Sequence, residues 1–354
     1  MNPMVFIALH IEPTLPDSLT LQSTTAVSAA LSTEVVFIDF HNPFRPLFDS
    51  YRRLVPSAST PYSNAMTVRE QGREPFAEKV KSGRNSVFTG RRALIIGGSG
   101  GIGRAISLEL AARGASLFIQ GRNRSKLQSL VEEIREKGRG AEGLVLDLEK
   151  SGTLKERIDL ILEAGAEQSA LASGEKKPAR VFDILVCAYG PFVRKAFGAH
   201  QAEDWEKTAL LDLALPGALA SALCPGMSAR GFGRILLLGG TRTDTIHGYL
   251  SNAAYAAAKT GLGVVAKSIA MEGAAHNVAA LVVCPGLVET EYLGEDQKRA
   301  LLAASPDGKL IQPAALATLA LDLLDCDPCP SSGAIVSLDS GFSPCGFDNP
   351  GARR

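Results

Sequence analysis

The chain has 354 residues, of which 45% are hydrophobic, and its 37 Lys and Arg balance its 37 Asp and Glu. A balanced charge gives no electrostatic basis for binding nucleic acid or an anionic membrane, and this composition is typical of a well-packed globular protein. No apolar run approaches the about 20 residues that a membrane span requires, and Met4–Ile11 lacks the basic flank of a signal peptide, so we expect a cytoplasmic protein.

Residues 1–87 are predicted to form an N-terminal extension of unknown role. Val5–His10 and Glu34–Phe40 have the pattern of strands, and Leu21–Leu31 has that of a short helix. The prolines and charges after Asn42 are typical of an irregular arm or linker. The extension can extend the sheet, wrap a neighbouring subunit or cover the active site. Residues 88–345 form the predicted catalytic domain, and 346–354 a tail.

An apolar stretch, Ala93–Ile96, turns through five glycines into a helical pattern that ends near Gly114. Glycines at such a turn tolerate positive φ and let a pyrophosphate approach backbone N–H groups at the start of a helix. The spacing fits both Gly98-x-Gly100-x-x-Gly103 and Gly97-x-x-x-Gly101-x-Gly103. The predicted phosphate-binding residues are Gly97, Ser99, Gly101, Ile102 and Gly103.

A second strand pattern, Ser116–Gln120, is followed by Arg122 at the place where an acidic residue would bind the ribose of NAD. Arginine at this place can accommodate the 2′-phosphate of NADP instead. We therefore favour NADP(H) over NAD(H), the alternative being that these arginines are solvated surface residues.

Strand and helix patterns alternate over the rest of the chain. Further strands are predicted at Gly143–Leu148, Phe182–Cys187, Arg234–Leu238, Val278–Val283 and Ala334–Leu338. Helices are predicted at Ser125–Lys137, Leu154–Ala164, Trp205–Leu223 and Ala253–Ala275. This alternation predicts an α/β fold with a doubly wound parallel sheet, the Rossmann fold, covered by helices on both faces. Chemistry is expected beyond the carboxyl ends of the strands.

The strongest catalytic candidate is Tyr255, four residues before Lys259 on a predicted helix. Residues at this spacing share a helix face, so the ammonium group can favour the ionised phenol and lower its pKa. The tyrosine would then exchange a proton with a substrate oxygen near neutral pH.

These motifs together resemble those of a classical short-chain dehydrogenase/reductase over about residues 91–342. The glycine loop, Asp147 after the third strand, Tyr255-x-x-x-Lys259 and Cys284–Thr290 follow one another in the family's order. The resemblance implies an NADP(H)-dependent dehydrogenase or reductase of the EC 1.1.1 class, with Tyr255 as general acid or base and Lys259 also holding the nicotinamide ribose. It also implies a homodimer or homotetramer formed through the helices Trp205–Leu223 and Ala253–Ala275.

The resemblance implies further cofactor-binding positions. Asp147 and Leu148 would border the adenine, and Val288 and Thr290 would anchor the nicotinamide carboxamide. Ala188, Gly190, Pro285 and Gly286 belong to the same implied set.

The chain departs from the family at four places. Ile96 replaces a threonine, and Cys187–Gly190 keeps only the last glycine of an Asn-Asn-Ala-Gly segment. The catalytic serine aligns with Gly240, or with Arg242 when counted back from Tyr255, so Thr241 is the first choice for the hydroxyl that polarises a carbonyl and Thr243 the second. The asparagine of the proton relay reads Asp212.

Two hypotheses of function follow from these residues. The first is hydride transfer between the nicotinamide and a carbonyl or secondary alcohol of a small or medium-sized, partly hydrophobic substrate. The second is a dinucleotide-binding protein with weak or no catalysis that acts as a redox sensor or interaction partner.

Residues 291–313 would select the substrate or form an ordinary amphipathic surface helix. His247 and Tyr249 either touch the substrate or are packing residues. Six scattered cysteines, including Cys326-x-x-Cys329, lack the spacing of a zinc site, so no metal is predicted.

Overall fold

The computed structural model describes residues 86–173 and 182–342, with side chains omitted for 168–173. The elements predicted within residues 1–85, together with Cys345 and the tail 346–354, lie outside the described residues. The strands are β1 (Arg92–Ile96), β2 (Ser116–Gly121), β3 (Ala141–Val145), β4 (Ile184–Cys187), β5 (Gly233–Leu238), β6 (Val278–Pro285) and β7 (Ile335–Leu338). The helices are α1 (Gly101–Ala112), α2 (Arg124–Glu136), α3 (Leu154–Ser173), α4 (Ala202–Thr208), α5 (Leu215–Ala229), α6 (Ala253–Gly273), α7 (Glu295–Ala304) and α8 (Pro313–Asp322). A π-helical turn at Ala209–Ala214 joins α4 to α5, and single 3₁₀ turns lie at Phe197–Ala199 and Ala274–His276.

Within the described residues, all seven strands form one parallel sheet in the order β3-β2-β1-β4-β5-β6-β7. The chain moves outward from β1 to β3 and then returns to place β4 beside β1. Such a reversal opens a crevice at the carboxyl ends of the two central strands, where ligands of these sheets bind. The predicted doubly wound fold is confirmed.

Helices cover both faces of the sheet because successive strand residues point to opposite sides. Ala93 and Ile95 of β1 belong to one hydrophobic cluster with buried residues of α1, α2 and α8. Leu94 and Ile96 belong to a second cluster with residues of α3, α5 and α6. The near-continuous apolar strands are those of a sheet buried on both faces.

Several predicted boundaries are wrong. β3 lies at Ala141–Val145, earlier than the predicted Gly143–Leu148, because its ladder with β2 pairs Leu117 with Ala141 and Gly121 with Val145. α3 continues to Ser173, beyond the predicted end at Ala164. Gly165 lies inside this helix, and its lack of a Cβ gives room to the Phe182 ring, which a Cβ would approach to 2.5 Å.

The predicted helix Trp205–Leu223 is longer and irregular. Pro216 has no N–H to give the carbonyl of Asp212, so a regular α-helical bond is missing where the π-helical turn lies. The predicted elements do not include α8, which packs against α1.

Among the described residues, one continuous helical stretch, Ala202–Ala229, is long and apolar enough to cross a membrane by length and composition, with a mean hydropathy of 1.4. The sequence analysis finds no such run. In this fold Leu211, Leu215 and Leu219 of the stretch are buried in the second hydrophobic cluster, so it serves as a core helix.

Candidate active site

The glycine loop forms a bare backbone cradle between β1 and α1. Gly97 has φ +76°, and a Cβ on Gly103 would lie 2.1 Å from the Gly97 carbonyl oxygen. A side chain at position 103 would therefore separate α1 from the loop. The loop is shaped by backbone contacts that only glycine permits.

Gln120, which the sequence analysis does not single out, holds this loop in place. Its side-chain oxygen accepts a hydrogen bond from the Gly97 N–H at 3.0 Å, and its amide donates to the Leu146 carbonyl at 2.6 Å. The side chain is 2% exposed, so both bonds are made in the core. A glutamine within an apolar strand is the sequence signal for such a role, because a buried amide needs partners.

Beyond β2 and β3, the predicted adenine-side residues lie around one carboxylate. Glu149 contacts the Lys207 ammonium, the Tyr189 hydroxyl at 3.3 Å and, more distantly, the Arg122 guanidinium at 3.8 Å. The Arg122 side chain is 67% exposed. Asp147 accepts a hydrogen bond from the Glu149 N–H at 3.1 Å. The Leu148 side chain is buried in the second hydrophobic cluster.

The segment after β4 joins the glycine loop to the catalytic pocket. Ala188 continues the strand pairing by donating its N–H to Ile96 at 2.9 Å. A Cβ on Gly97 would lie 2.8 Å from the Tyr189 Cβ, so the loop packs directly on this segment. The Tyr189 carbonyl in turn accepts a hydrogen bond from the Lys259 ammonium at 3.4 Å.

Lys259 and Asp212 form a buried ion pair at the centre of the pocket. Lys259 Nζ lies 3.2 Å from Asp212 Oδ1 and donates to the Leu238 carbonyl at 3.0 Å. A Cβ on Gly190 would lie 1.8 Å from Asp212 Oδ1. The one glycine kept from the family segment therefore makes the space that the carboxylate occupies.

Burial dominates the electrostatics of this pair. It raises the pKa of Asp212 from 3.8 to about 6, although the Lys259 charge works in the opposite direction. Asp212 Oδ2 is buried without a hydrogen-bond partner in the described structure. Such an oxygen is an available hydrogen-bond acceptor.

Tyr255 lies one helical turn before Lys259, as predicted, with its ring centroid 5.8 Å from Lys259 Nζ. The predicted lowering of its pKa is wrong. Burial raises the pKa of the phenol, and the Asp212 carboxylate adds to the increase. The Lys259 charge does not reverse this increase.

Gly240 lies directly beside the Tyr255 phenol. A Cβ at this position would be 2.8 Å from Tyr255 Cε1 and 3.1 Å from the hydroxyl oxygen. The alignment that places the family serine here is thus consistent with the geometry, and the ring rests against the bare backbone. Because residue 240 is a glycine, it offers no hydroxyl group beside the Tyr255 phenol.

The two candidate threonines are placed differently. The Thr243 hydroxyl is 2% exposed and bonds to the Gly240 N–H at 2.8 Å and the Gly240 carbonyl at 2.9 Å, so it closes the turn after β5. The half-buried Thr241 hydroxyl has one long bond, 3.5 Å, to the Gly286 carbonyl. Arg242 between them has φ +63°, and its carbonyl accepts a 2.5 Å hydrogen bond from the Tyr249 hydroxyl. Tyr249 therefore supports this turn, and His247 stacks on its ring.

The segment after β6 completes the rim. Gly286, following Pro285, donates its N–H to Leu338 at 3.0 Å, and Val288 pairs with Ile311 in a parallel bridge. Thr290 reaches the glycine loop, where a Cβ on Gly101 would lie 3.6 Å from its methyl group. The structure therefore brings the predicted nicotinamide-side segment against the predicted phosphate loop.

The Tyr255 ring has an apolar neighbour, Phe192, that the sequence patterns do not predict. The Phe192 ring meets the Tyr255 ring edge to face, with centroids 5.0 Å apart, and is 60% exposed. Ile246 and Leu250, on the loop between β5 and α6, are almost fully exposed. By contrast, α7 in the predicted substrate segment has no buried residue, as expected for the amphipathic surface helix.

Comparisons with known proteins agree with this arrangement. The short chain dehydrogenase family model matches residues 91–300. A tropinone reductase homologue of Arabidopsis thaliana is 29% identical over 73% of this chain and 95% of its own length. The 3-oxoacyl-acyl-carrier-protein reductase of Escherichia coli is 30% identical over 63% of this chain and 85% of its own length.

Among solved structures, a blue fluorescent protein from a metagenomic library, in complex with NADPH, is similar with a TM-score of 0.62 and 27% identity, covering 73% of this chain and all of that one. A gluconate 5-dehydrogenase-like protein of Beutenbergia cavernae with bound NADP gives a TM-score of 0.62 at 25% identity, over 73% of this chain and 99% of that one. The family match covers more than half of the chain, and the glycine loop, Tyr255 and Lys259 lie at the carboxyl edge of the sheet. The chain belongs to the short chain dehydrogenase family of oxidoreductases.

Proposed function

We propose that the protein is an NADP(H)-dependent oxidoreductase of the EC 1.1.1 class that interconverts a carbonyl group and a secondary alcohol. The observation that carries this proposal is the continuous contact from the glycine loop through Tyr189 to Lys259, one turn from Tyr255. It joins a phosphate cradle to a proton-transferring phenol at one edge of the sheet.

The residues present fit a nicotinamide dinucleotide. The Gly101 N–H at the start of α1 donates to both oxygens of the Glu291 carboxylate, an anion in the position where helix N-termini bind phosphate. The glycine loop would hold the pyrophosphate, Asp147 would border the adenine, and Val288 and Thr290 the nicotinamide. When bound, the nicotinamide supplies or accepts the hydride.

Tyr255 would exchange the proton with the substrate oxygen. Because burial raises the pKa of its phenol, the hydroxyl stays protonated at neutral pH and is available as a donor. In the direction of reduction, the carbonyl oxygen gains this proton. Lys259, held by Asp212 and two backbone carbonyls, would position the ribose and fix the helix face that carries Tyr255.

Thr241 is the proposed group that polarises the substrate carbonyl. Its hydroxyl is half-buried and makes only one long hydrogen bond within the described part of the chain, whereas the Thr243 hydroxyl is bonded to the turn. The exposed apolar side chains of Phe192, Ile246 and Leu250 favour a small or medium-sized, partly hydrophobic substrate, because exposed apolar groups near a site gain free energy when a ligand covers them.

The preference for NADP(H) is proposed from Arg122, whose exposed guanidinium has, among the described residues, only a distant carboxylate partner. The NADPH and NADP found in two structural neighbours support it. Titrating the protein with NADPH and NADH by cofactor fluorescence should give tighter binding of NADPH, and Arg122→Asp should weaken NADPH about tenfold while sparing NADH. Arg139→Asp makes the same charge change on an exposed residue before β3 and should alter neither affinity. Equal weakening of both cofactors by Arg122→Asp would contradict the preference.

Activity is tested by NADPH oxidation with a panel of ketones. Tyr255→Phe should lower kcat by about 10²–10⁴-fold without weakening NADPH binding, because only the proton donor is removed. The second hypothesis, a dinucleotide-binding protein with little catalysis, is favoured by the glycine at position 240. Tight NADPH binding without turnover of any ketone would support that alternative.

The homo-oligomeric state is proposed for the face formed by α5 and α6. Val264 and Met271 on α6 are 70% and 84% exposed, which is unusual for large apolar side chains on a core helix. A homodimer or homotetramer would cover them.

A cytoplasmic location is proposed from the sequence alone.

A further inference from the structure

The Glu291 carboxylate lies on the phosphate-binding end of α1. Its Oε2 and Oε1 accept hydrogen bonds from the Gly101 N–H at 3.0 and 3.2 Å. Gly101 is the first residue of α1, so this N–H has no partner within the helix. The two residues are 190 positions apart, so the contact is set by the fold and not by a local turn.

The neighbouring residue, Tyr292, also contacts the glycine loop. A Cβ on Gly100 would lie 1.9 Å from the Tyr292 hydroxyl oxygen, so the phenol occupies the space left by the glycine. The Lys126 ammonium lies 3.2 Å from Glu291 Oε1 and 4.6 Å from the centroid of the Tyr292 ring. Residues 291 and 292 thus cover the glycine loop and contact the first turn of α2.

The Glu291 carboxylate has the charged and polar neighbours that a bound phosphate would have. An anion at the N-terminus of a helix is stabilised by the helix dipole, and Lys126 supplies a full positive charge beside it. Burial works against ionisation of Glu291, but hydrogen bonds from its own backbone, Lys126 and Gly101 outweigh it and keep its pKa below the ordinary value. The carboxylate is therefore ionised at neutral pH.

The contact can be displaced. The side chains of Lys126 and Glu291 are each 42% exposed, and an ion pair with this exposure contributes little to stability. The pyrophosphate of a dinucleotide, taken as a whole, carries more negative charge and more acceptor oxygens than one carboxylate. Competition for the same donors then favours the phosphate.

We propose that Glu291 occupies the position of a cofactor phosphate at the start of α1, and that Lys126 is a cofactor-binding residue that exchanges this carboxylate for a phosphate of the dinucleotide. The proposal rests on the proposed function, since it names further residues of the same cofactor site. It assigns to Glu291 the role of a competitor whose removal exposes the site.

The test is NADPH binding, measured by cofactor fluorescence, with inorganic pyrophosphate as a second probe. Glu291→Gln should tighten NADPH binding about fivefold or more and should tighten pyrophosphate in parallel, because the competing charge is gone. Lys126→Met made in the Glu291→Gln background should weaken NADPH by a similar factor. Glu289→Gln is the matched control, because Glu289 lies on the same segment but contacts Lys298 and Gln312 instead of the loop.

The outcomes separate the two proposals. If the wild type binds NADPH and Glu291→Gln binds it no more tightly, the competitor role is wrong and the proposed function stands. If Lys126→Met leaves the affinity of the Glu291→Gln protein unchanged, Lys126 is not a cofactor-binding residue. If neither the wild type nor Glu291→Gln binds NADPH, the proposed function and this inference both fail.

Discussion

The glycine loop and the catalytic pocket lie at the same edge of the sheet but keep the family pattern to different degrees. The loop has the family's glycines at positions 97, 101 and 103. The pocket keeps Tyr255 and Lys259 but has Gly240 in place of a serine and Asp212 in place of an asparagine.

The difference has a physical reason. The cradle is made of backbone, so a Cβ at Gly103 would strike a carbonyl oxygen that cannot move aside. The pocket is made of side chains, and a lost hydroxyl can be supplied by a neighbour such as Thr241. A backbone site therefore tolerates few substitutions, whereas a side-chain site can be rebuilt.

The largest effect is expected from closing the cradle. Gly103→Ala would place a Cβ 2.1 Å from the Gly97 carbonyl oxygen, so α1 must shift away from the loop. We expect NADPH affinity to fall more than about 100-fold and the free energy of unfolding to fall by about 1–3 kcal/mol, as for other overpacked sites. Fluorescence titration measures the NADPH affinity, and thermal unfolding measures the stability.

Gly198→Ala serves as the control for this substitution. A Cβ on Gly198 would meet nothing within 4 Å, so neither NADPH affinity nor stability should change. A folded Gly103→Ala protein with wild-type affinity for NADPH would show that the cradle does not depend on backbone contact.

The next effect compares Gly240→Ser with Gly240→Ala. Both add the same Cβ beside the Tyr255 ring, so their ratio isolates the hydroxyl. We expect kcat for ketone reduction to be about 10²-fold higher for the serine variant, the order of magnitude of one oxyanion-stabilising donor. Thr241→Val should slow the wild type but not the Gly240→Ser enzyme. Equal rates for the serine and alanine variants would show that position 240 does not reach the substrate oxygen.

The smallest effect concerns the buried carboxylate. The pKa of Asp212 is about 6 in the folded protein, above its ordinary 3.8, so folding favours the protonated form. The stability that this proton contributes is fully present below pH 3.8 and is lost as pH rises through about 6. The unfolding free energy of the wild type, compared with Asp212→Asn, should therefore fall by about 2 kcal/mol between pH 4 and pH 7.

Urea unfolding at several pH values measures this difference. Asp159→Asn, which removes an exposed carboxylate paired with Lys155 on α3, is the control for the loss of a carboxylate as such. A difference between wild type and Asp212→Asn that stays constant with pH would show that Asp212 remains ionised throughout and that its ion pair with Lys259 outweighs burial.

Much of the fold could be predicted because its signals are local. Apolar runs, glycines and helical periodicity identify the strands and helices of the sheet, and the order of the motifs identifies the family. The end of α3 and the start of β3 could not be predicted from local signals. Gly165 lies in a helix because Phe182 fills the space beside it, and Ala141 lies in a strand because it pairs with β2. The irregular helix around Asp212 has a local signal, Pro216, which alone does not predict a π-helical turn.

By itself, the sequence determined the parallel α/β fold, the phosphate loop and the pairing of Tyr255 with Lys259 on one helix face. The tertiary structure decided which charged groups contact each other. Asp212 reaches Lys259 because Gly190 leaves space for it, and Glu291 reaches the Gly101 N–H from far along the chain. Spacing along a helix or strand fixes neighbours within an element, but contacts between elements, and with them burial and pKa, exist only once the sheet has brought its strand ends together.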